Sequence, residues 1–193
     1  MILRVIRGRT DRGRVEAFRA ALVETLGDGP TPTTGPDRYH LGVRPAGEEL
    51  DVLLLACWPS AEAAADSDAR DVSPMRVASR YLDRVDITHF EVDMNLLRDP
   101  DVRPMALRVA TGSFVRPGGD IQMQELLRAR MPLLGAEMTE AYVGRRLHGR
   151  AVDVTFISAW QAIPPEHSLD EPFWSDISVR YDEFSVEVYR ALE

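Results

Sequence analysis

A chain of 193 residues has room for one ordinary domain or two small ones, and its 45% hydrophobic and 28% charged residues suit a packed core rather than a disordered chain. A formal net charge of −8 with no clustered basic stretch argues against nucleic acid as a partner, and no apolar run approaches the ~20 residues of a membrane helix. All 23 basic residues are arginine, so lysine chemistry (a Schiff base, a PLP anchor, a P-loop) is excluded, and the single cysteine, Cys57, allows no intrachain disulfide.

The opening MILRVIRGRT has no apolar h-region and is not expected to be a secretory signal, which makes the cytoplasm the default compartment. Ile2–Arg7 alternates with period two and predicts a strand. After Gly13, the residues Val15, Phe18, Leu22 and Leu26 recur at helical spacing. Tyr39–Arg44 predicts a second strand, PAGEE a turn, and LDVLLLACW (50–58) a third strand ending on Trp58. Ser73 and Pro74 form an N-cap and N1 pair that opens a helix through Tyr81, and Ile87–Met94 closes the set as a strand. Residues 98–103, charge-rich and broken by Pro100, are expected to be a linker. The pattern then starts again. Ala106–Ser113 predicts a strand, Ile121–Arg130 a helix with Met123, Leu126 and Leu127 on one side, and Glu140–Leu147 a strand. VDVTFISAW (152–160) ends on Trp160, Glu171 and Pro172 open a helix over Phe173–Tyr181, and Phe184–Tyr189 is the last strand.

The restart is a repeat in the residues themselves. MILRVIRG at 1–8 returns as MALRVATG at 105–112, and HLGVR at 40–44 as YVGRR at 142–146. Asp51 to Trp58 returns as Asp153 to Trp160 at the same spacing. Collinear matches in one order point to a tandem duplication, with repeats over 1–97 and 104–193. Each repeat reads β-α-β-β-α-β, so the expected fold class is α+β, two ferredoxin-like units with antiparallel sheets. One sheet face of each is covered by helices and the other would aggregate if left in water. The two sheets are therefore expected to pack together as an intramolecular α+β barrel.

The opening strand with Gly13 before an amphipathic helix, and Trp58-Pro-Ser-Ala-Glu62 after the third strand, resemble the antibiotic-biosynthesis monooxygenase family of the dimeric α+β barrel superfamily. The resemblance covers nearly the whole chain as two fused copies. It implies cofactor-independent oxygenation of polycyclic phenols, haem degradation, or no established reaction. Haem-degrading members use an Asn on strand one, the strand-three Trp and a His on the next helix. Here the matching strand-one positions are Ile6 and Ala110, and Asp68 falls near the place of the histidine, so haem degradation is disfavoured. His40, His89, His148 and His167 form no close ligand pair, and no metal, flavin or haem is expected.

Several residues carry the chemistry this reading needs. Trp58 and Trp160 end apolar strands and serve either the core or a substrate wall. Arg4 lies with Ile2 and Ile6, and Arg108 with Ala106 and Ala110, on mostly apolar strand faces. A guanidinium buried there demands a helix carboxylate or a ligand. His40 supplies a base of near-neutral pKa for making a phenolate, and Tyr39 or Tyr142 could steady the anion. Because His40 has only Tyr142 as its match, the first repeat is expected to hold the pocket, built from Arg4, His40 and Trp58. The reading is a cofactor-free monooxygenase, monomer or homodimer, acting on a small apolar or aromatic molecule. A non-catalytic ligand-binding or structural member of the superfamily is the alternative.

Overall fold

The computed structural model describes residues 1–26, 35–70, 73–99, 101–115, 118–131, 135–163 and 179–192. The fold is α+β, with antiparallel strands, and it divides into two compact units, Met1–His89 with Ala191–Glu193 and Phe90–Arg190. The first unit holds β1 (Ile2–Asp11), α1 (Arg12–Leu26), β2 (Arg38–Ala46), β3 (Glu49–Trp58), α2 (Ala61–Asp68), α3 (Pro74–Tyr81) and the start of β4 (Asp83–Leu97). Its strand order is β4-β1-β3-β2. The second unit holds the rest of β4, β5 (Ala106–Phe114), α4 (Gly119–Arg130), β6 (Met138–His148), β7 (Ala151–Trp160) and most of β8 (Glu183–Leu192). Its order is β8-β5-β7-β6, the same arrangement, and Glu91–Leu97 of β4 then pairs along β6. Both are ferredoxin-like sheets.

The strands run longer than the sequence pattern predicts, because backbone pairing continues through polar ends. β4 extends to Leu97, three residues past the expected Met94, since Asn95, Leu96 and Leu97 pair with Tyr142, Ala141 and Glu140. The helix α2 is an addition: its apolar residues are all alanine, too weak a pattern for a hydrophobic stripe, yet Ser60 caps it by accepting from Ala63 N–H. Ser73 caps α3 in the same way, accepting from Arg76 N–H ahead of Pro74. The expected helix Phe173–Tyr181 and the PPEHSLDEP segment with His167 lie, apart from residues 179–181, outside the described residues.

Helices cover one face of each sheet. Val15, Phe18, Leu22 and Leu26 of α1 and Val77 and Ala78 of α3 bury against Ile6, Leu41, Val52 and Leu54. Burying each large side chain contributes about 1.5–3 kcal/mol. In the second unit Met123 and Leu127 of α4 do the same against Ala110, Val143 and Phe156. Two matched glycines permit close approaches. A Cβ on Gly8 would meet the Leu82 side chain, and one on Gly112, the matched position, would overlap the Tyr181 ring.

Polar contacts recur at matched positions too. Asp51 accepts from Arg9 Nε at 2.9 Å and Arg44 Nε at 3.0 Å, which staples β3 to both neighbours. Asp153 accepts from Ser113 Oγ at 2.6 Å and Arg146 Nε at 2.8 Å. Arg44 and Arg146 are thereby partly buried ion-pair partners of the two aspartates.

Candidate functional site

Strand register sorts the candidate residues before any side chain is considered. Arg4 is paired with Ala56, and Ala56 with Tyr39, so these three share the face on which α1, α2 and α3 pack. Ile2 is paired with Trp58, which puts the tryptophan on the same face. His40 is paired with Leu55, and Leu55 with Val5, which is the other face. The expected grouping of Arg4, His40 and Trp58 therefore does not form: a one-residue step along β2 turns His40 away while it brings Tyr39 in. The second unit obeys the same rule. Arg108 pairs with Ser158 on the face of Trp160, whereas Tyr142 pairs with Ile157 on the opposite one. There Tyr142 donates to Glu140 Oε2 at 3.1 Å, both residues buried.

The cluster that does form is built around Arg4, only 1% exposed. Its Nη2 donates to Asp68 Oδ2 at 2.8 Å and to the Ala64 carbonyl at 3.0 Å, both on α2. Its Nε donates to His89 Nε2 at 2.9 Å, on β4. Its guanidinium carbon stands 5.2 Å from the centroid of the Trp58 ring, a cation–π distance. Ala56, Trp58 and Ala64 form a buried apolar nest beside it, with Tyr39 packed on its edge. The helix carboxylate that a buried arginine requires is thus Asp68, and His89 is a second partner that the sequence pattern did not single out.

Three polar atoms of this cluster are buried with no hydrogen-bond partner among the described residues: Arg4 Nη1, Trp58 Nε1 and Asp68 Oδ1. A buried polar atom left unpaired costs about 1–3 kcal/mol, so two donors and an acceptor orphaned in one place amount to a binding potential. The cluster is close to solvent on two flanks, since the Asp68 side chain is 25% exposed and His89 is exposed. The second unit repeats the stacking but pairs its tryptophan N–H. Arg108 lies 4.9 Å from the Trp160 ring centroid, and Trp160 Nε1 donates to Ser158 Oγ at 2.8 Å.

Burial, opposed by Asp68, pulls the Arg4 pKa below its ordinary value. Burial first, and the Arg4 charge second, hold the His89 pKa below 6.5, with Asp68 opposing. The hydrogen bond agrees, because Nε2 can accept from Arg4 only while it carries no proton, which assigns the proton of neutral His89 to Nδ1. The unfolded chain then binds more protons than the folded one as pH falls through 6.5. His89 therefore contributes stability that is complete above the unfolded value and lost as pH falls through the lower folded one. His89→Gln, whose amide oxygen can accept from Arg4, is expected to flatten that acid-side loss below pH 6.5 in urea titrations. An unchanged pH slope would contradict the assignment.

Among the described residues no group of three His, Cys, Asp or Glu side chains is placed to hold a metal ion, and no helix is long and apolar enough to cross a membrane. No family model matches the sequence, and no curated protein does. Solved structures match along the whole chain. A protein described as a candidate monooxygenase from Fusobacterium nucleatum is 10% identical, with a TM-score of 0.73 over 100% of this chain and 92% of its own. An anthrone oxidase-like protein is 14% identical, with a TM-score of 0.61 over 100% and 91%. An uncharacterised ferredoxin-fold protein from Listeria monocytogenes, related to antibiotic biosynthesis monooxygenases, is 8% identical, with a TM-score of 0.53 over 100% and 95%. Across that low identity, the chain has the monooxygenase-like, ferredoxin-type fold of the antibiotic-biosynthesis-monooxygenase-related proteins.

Proposed function

We propose that the chain is a cofactor-independent monooxygenase that oxidises a small apolar or polycyclic phenol with O2, using its first unit. The observation that carries the reading is the buried Arg4–Asp68–Trp58 cluster, with its three unpaired polar atoms, on the helix-covered face of the sheet. The fold shared with an anthrone oxidase-like protein supports the reaction class.

Oxygenation of a phenol begins with loss of its proton, because the phenolate is the electron-rich species that can pass an electron to O2. Asp68 Oδ1 is the acceptor for that proton, and the Arg4 guanidinium offsets the charge left on oxygen. The Trp58 ring supplies a flat apolar wall, and its N–H is a donor for the oxygen atom or for a peroxide formed on the ring. His89 touches neither and acts as a positioning residue through Arg4 Nε. The step balances without a reductant. One oxygen of O2 replaces the hydrogen on the reacting ring carbon, the other leaves as water with that hydrogen and the phenolic one, and O2 takes up every electron the ring loses.

Aerobic incubation with 1-naphthol or anthrone and no added reductant is expected to consume one O2 for each quinone formed. Asp68→Asn is expected to lower turnover at least ~tenfold, the usual contribution of a positioned base being larger still. Turnover that persists unchanged in Asp68→Asn would contradict the proposal, as would a requirement for added reductant.

A further inference from the structure

Hydrogen-bond accounting at the orphaned atoms narrows what they can hold. Arg4 Nη1 and Trp58 Nε1 are donors only, and ionised Asp68 Oδ1 is an acceptor only. A group that satisfies all three must accept twice and donate once. A carboxylate or phosphate would set its negative charge against Asp68, a bare carbonyl would leave Oδ1 unpaired, and a cation would meet Arg4. A neutral hydroxyl fits: its lone pairs take the two N–H groups and its proton goes to Asp68.

The second unit shows what closes such a site. Ala56 is paired with Arg4, and Ser158 holds the same place opposite Arg108. Ser158 stands two residues before Trp160 on the same strand face and takes the indole N–H with its own hydroxyl at 2.8 Å. Ala56 stands two residues before Trp58 and has no hydroxyl to offer, so the Trp58 N–H stays unpaired. One side-chain oxygen separates a satisfied tryptophan from an unsatisfied one.

Resting on the oxygenase reading, we infer that Arg4 Nη1, Trp58 Nε1 and Asp68 Oδ1 form a binding site for the hydroxyl of a neutral aromatic ligand, and that Ala56 is the specificity-determining residue that keeps it open. The ligand enters protonated and meets its base only on arrival. Ala64 of α2 packs with Trp58 in one buried cluster, with Ala63 against it. A hydroxyl that takes the three orphaned atoms breaks none of the bonds Arg4 already makes to Ala64, Asp68 and His89.

The test is anaerobic calorimetric titration with 1-naphthol, 1-naphthoate and 1-methylnaphthalene, where no turnover intervenes. The expected order is 1-naphthol at least ~tenfold tighter than either analogue, about the worth of one or two hydrogen bonds. Ala56→Ser is expected to weaken 1-naphthol ~tenfold and leave 1-methylnaphthalene unchanged, while Ser158→Ala changes neither. Equal affinity for the three probes, or an Ala56→Ser chain that binds 1-naphthol as before, would overturn the inference and leave the buried atoms to solvent alone. Should Ala56→Ser not fold, the indole N–H resonance of Trp58 in the unaltered chain decides. It is expected to move on addition of 1-naphthol and not of 1-methylnaphthalene, and a resonance that moves with neither overturns the inference. Selective binding without O2 uptake would sink the oxygenase reading alone, whereas uptake indifferent to Ala56→Ser would sink this one.

Discussion

Asp68→Ala is expected to destabilise the first unit by about 2–3 kcal/mol, somewhat less than the 3–5 kcal/mol typical of breaking a fully buried ion pair, because a quarter of the Asp68 side chain reaches solvent. The loss comes from what remains. Arg4 is 1% exposed, and without Asp68 its charge faces the Ala64 carbonyl, a neutral histidine and the Trp58 ring, with no carboxylate. Removing both charges tells a different story. The double substitution Arg4→Met, Asp68→Leu fills a similar volume with apolar atoms and is expected to recover most of the stability while abolishing turnover. Urea unfolding of the single and double variants separates the cases. A double variant as unstable as Asp68→Ala would mean that the pair contributes packing rather than charge compensation.

Gly112→Ala is expected to cost about 2–4 kcal/mol, the sum of an overpacked contact and a lost aromatic arrangement. A methyl group there overlaps the Tyr181 ring, whose centroid lies 4.3 Å from that of Phe114 and 5.1 Å from that of Phe184. Tyr181 packs against both of those rings, and burial pushes its phenol pKa up. In a Tyr181→Ala background the same substitution should cost less than about 1 kcal/mol, because the obstruction has gone. Equal costs in both backgrounds would place the strain in the β5 backbone instead. Gly8→Ala, pressing on Leu82, is expected to follow the same pattern with a smaller effect, since a leucine can change rotamer.

Much of the fold was legible because the sequence writes it twice. The matched pairs Arg4 with Arg108, Trp58 with Trp160 and Asp51 with Asp153 make matched contacts: two arginine–tryptophan stacks and two β3-type aspartates stapled to neighbouring strands. Those recurrences support duplication better than letter matches do, because each is a physical interaction kept at the same place. The strand-one arginine was legible as well, since a guanidinium on an apolar face must be answered by a carboxylate.

The rest of the site was not legible, for two physical reasons. Alternation fixes which residues of one strand share a face, but not the register with the next strand. Only the pairing of Tyr39, rather than His40, with Ala56 decides which of the two faces Arg4. The second reason is sequence distance. Asp68 and His89 lie 64 and 85 positions from Arg4, and only the folded topology brings them together. Asp68 did leave a trace, standing near the place where the resemblance puts a histidine. His89 left none, as its neighbours on β4 alternate between buried and exposed like any strand. The alanines of α2, too small to mark a helix face in the sequence, are what let it lie over Trp58.

The most direct test of this account is an anaerobic crystal structure of the chain with 1-naphthol. The expected result is ligand density in the first unit, its hydroxyl within hydrogen-bond distance of Arg4 Nη1, Trp58 Nε1 and Asp68 Oδ1 and its rings against Trp58. Density beside Arg108 and Trp160 instead, or on the His40 face of the sheet, would contradict it.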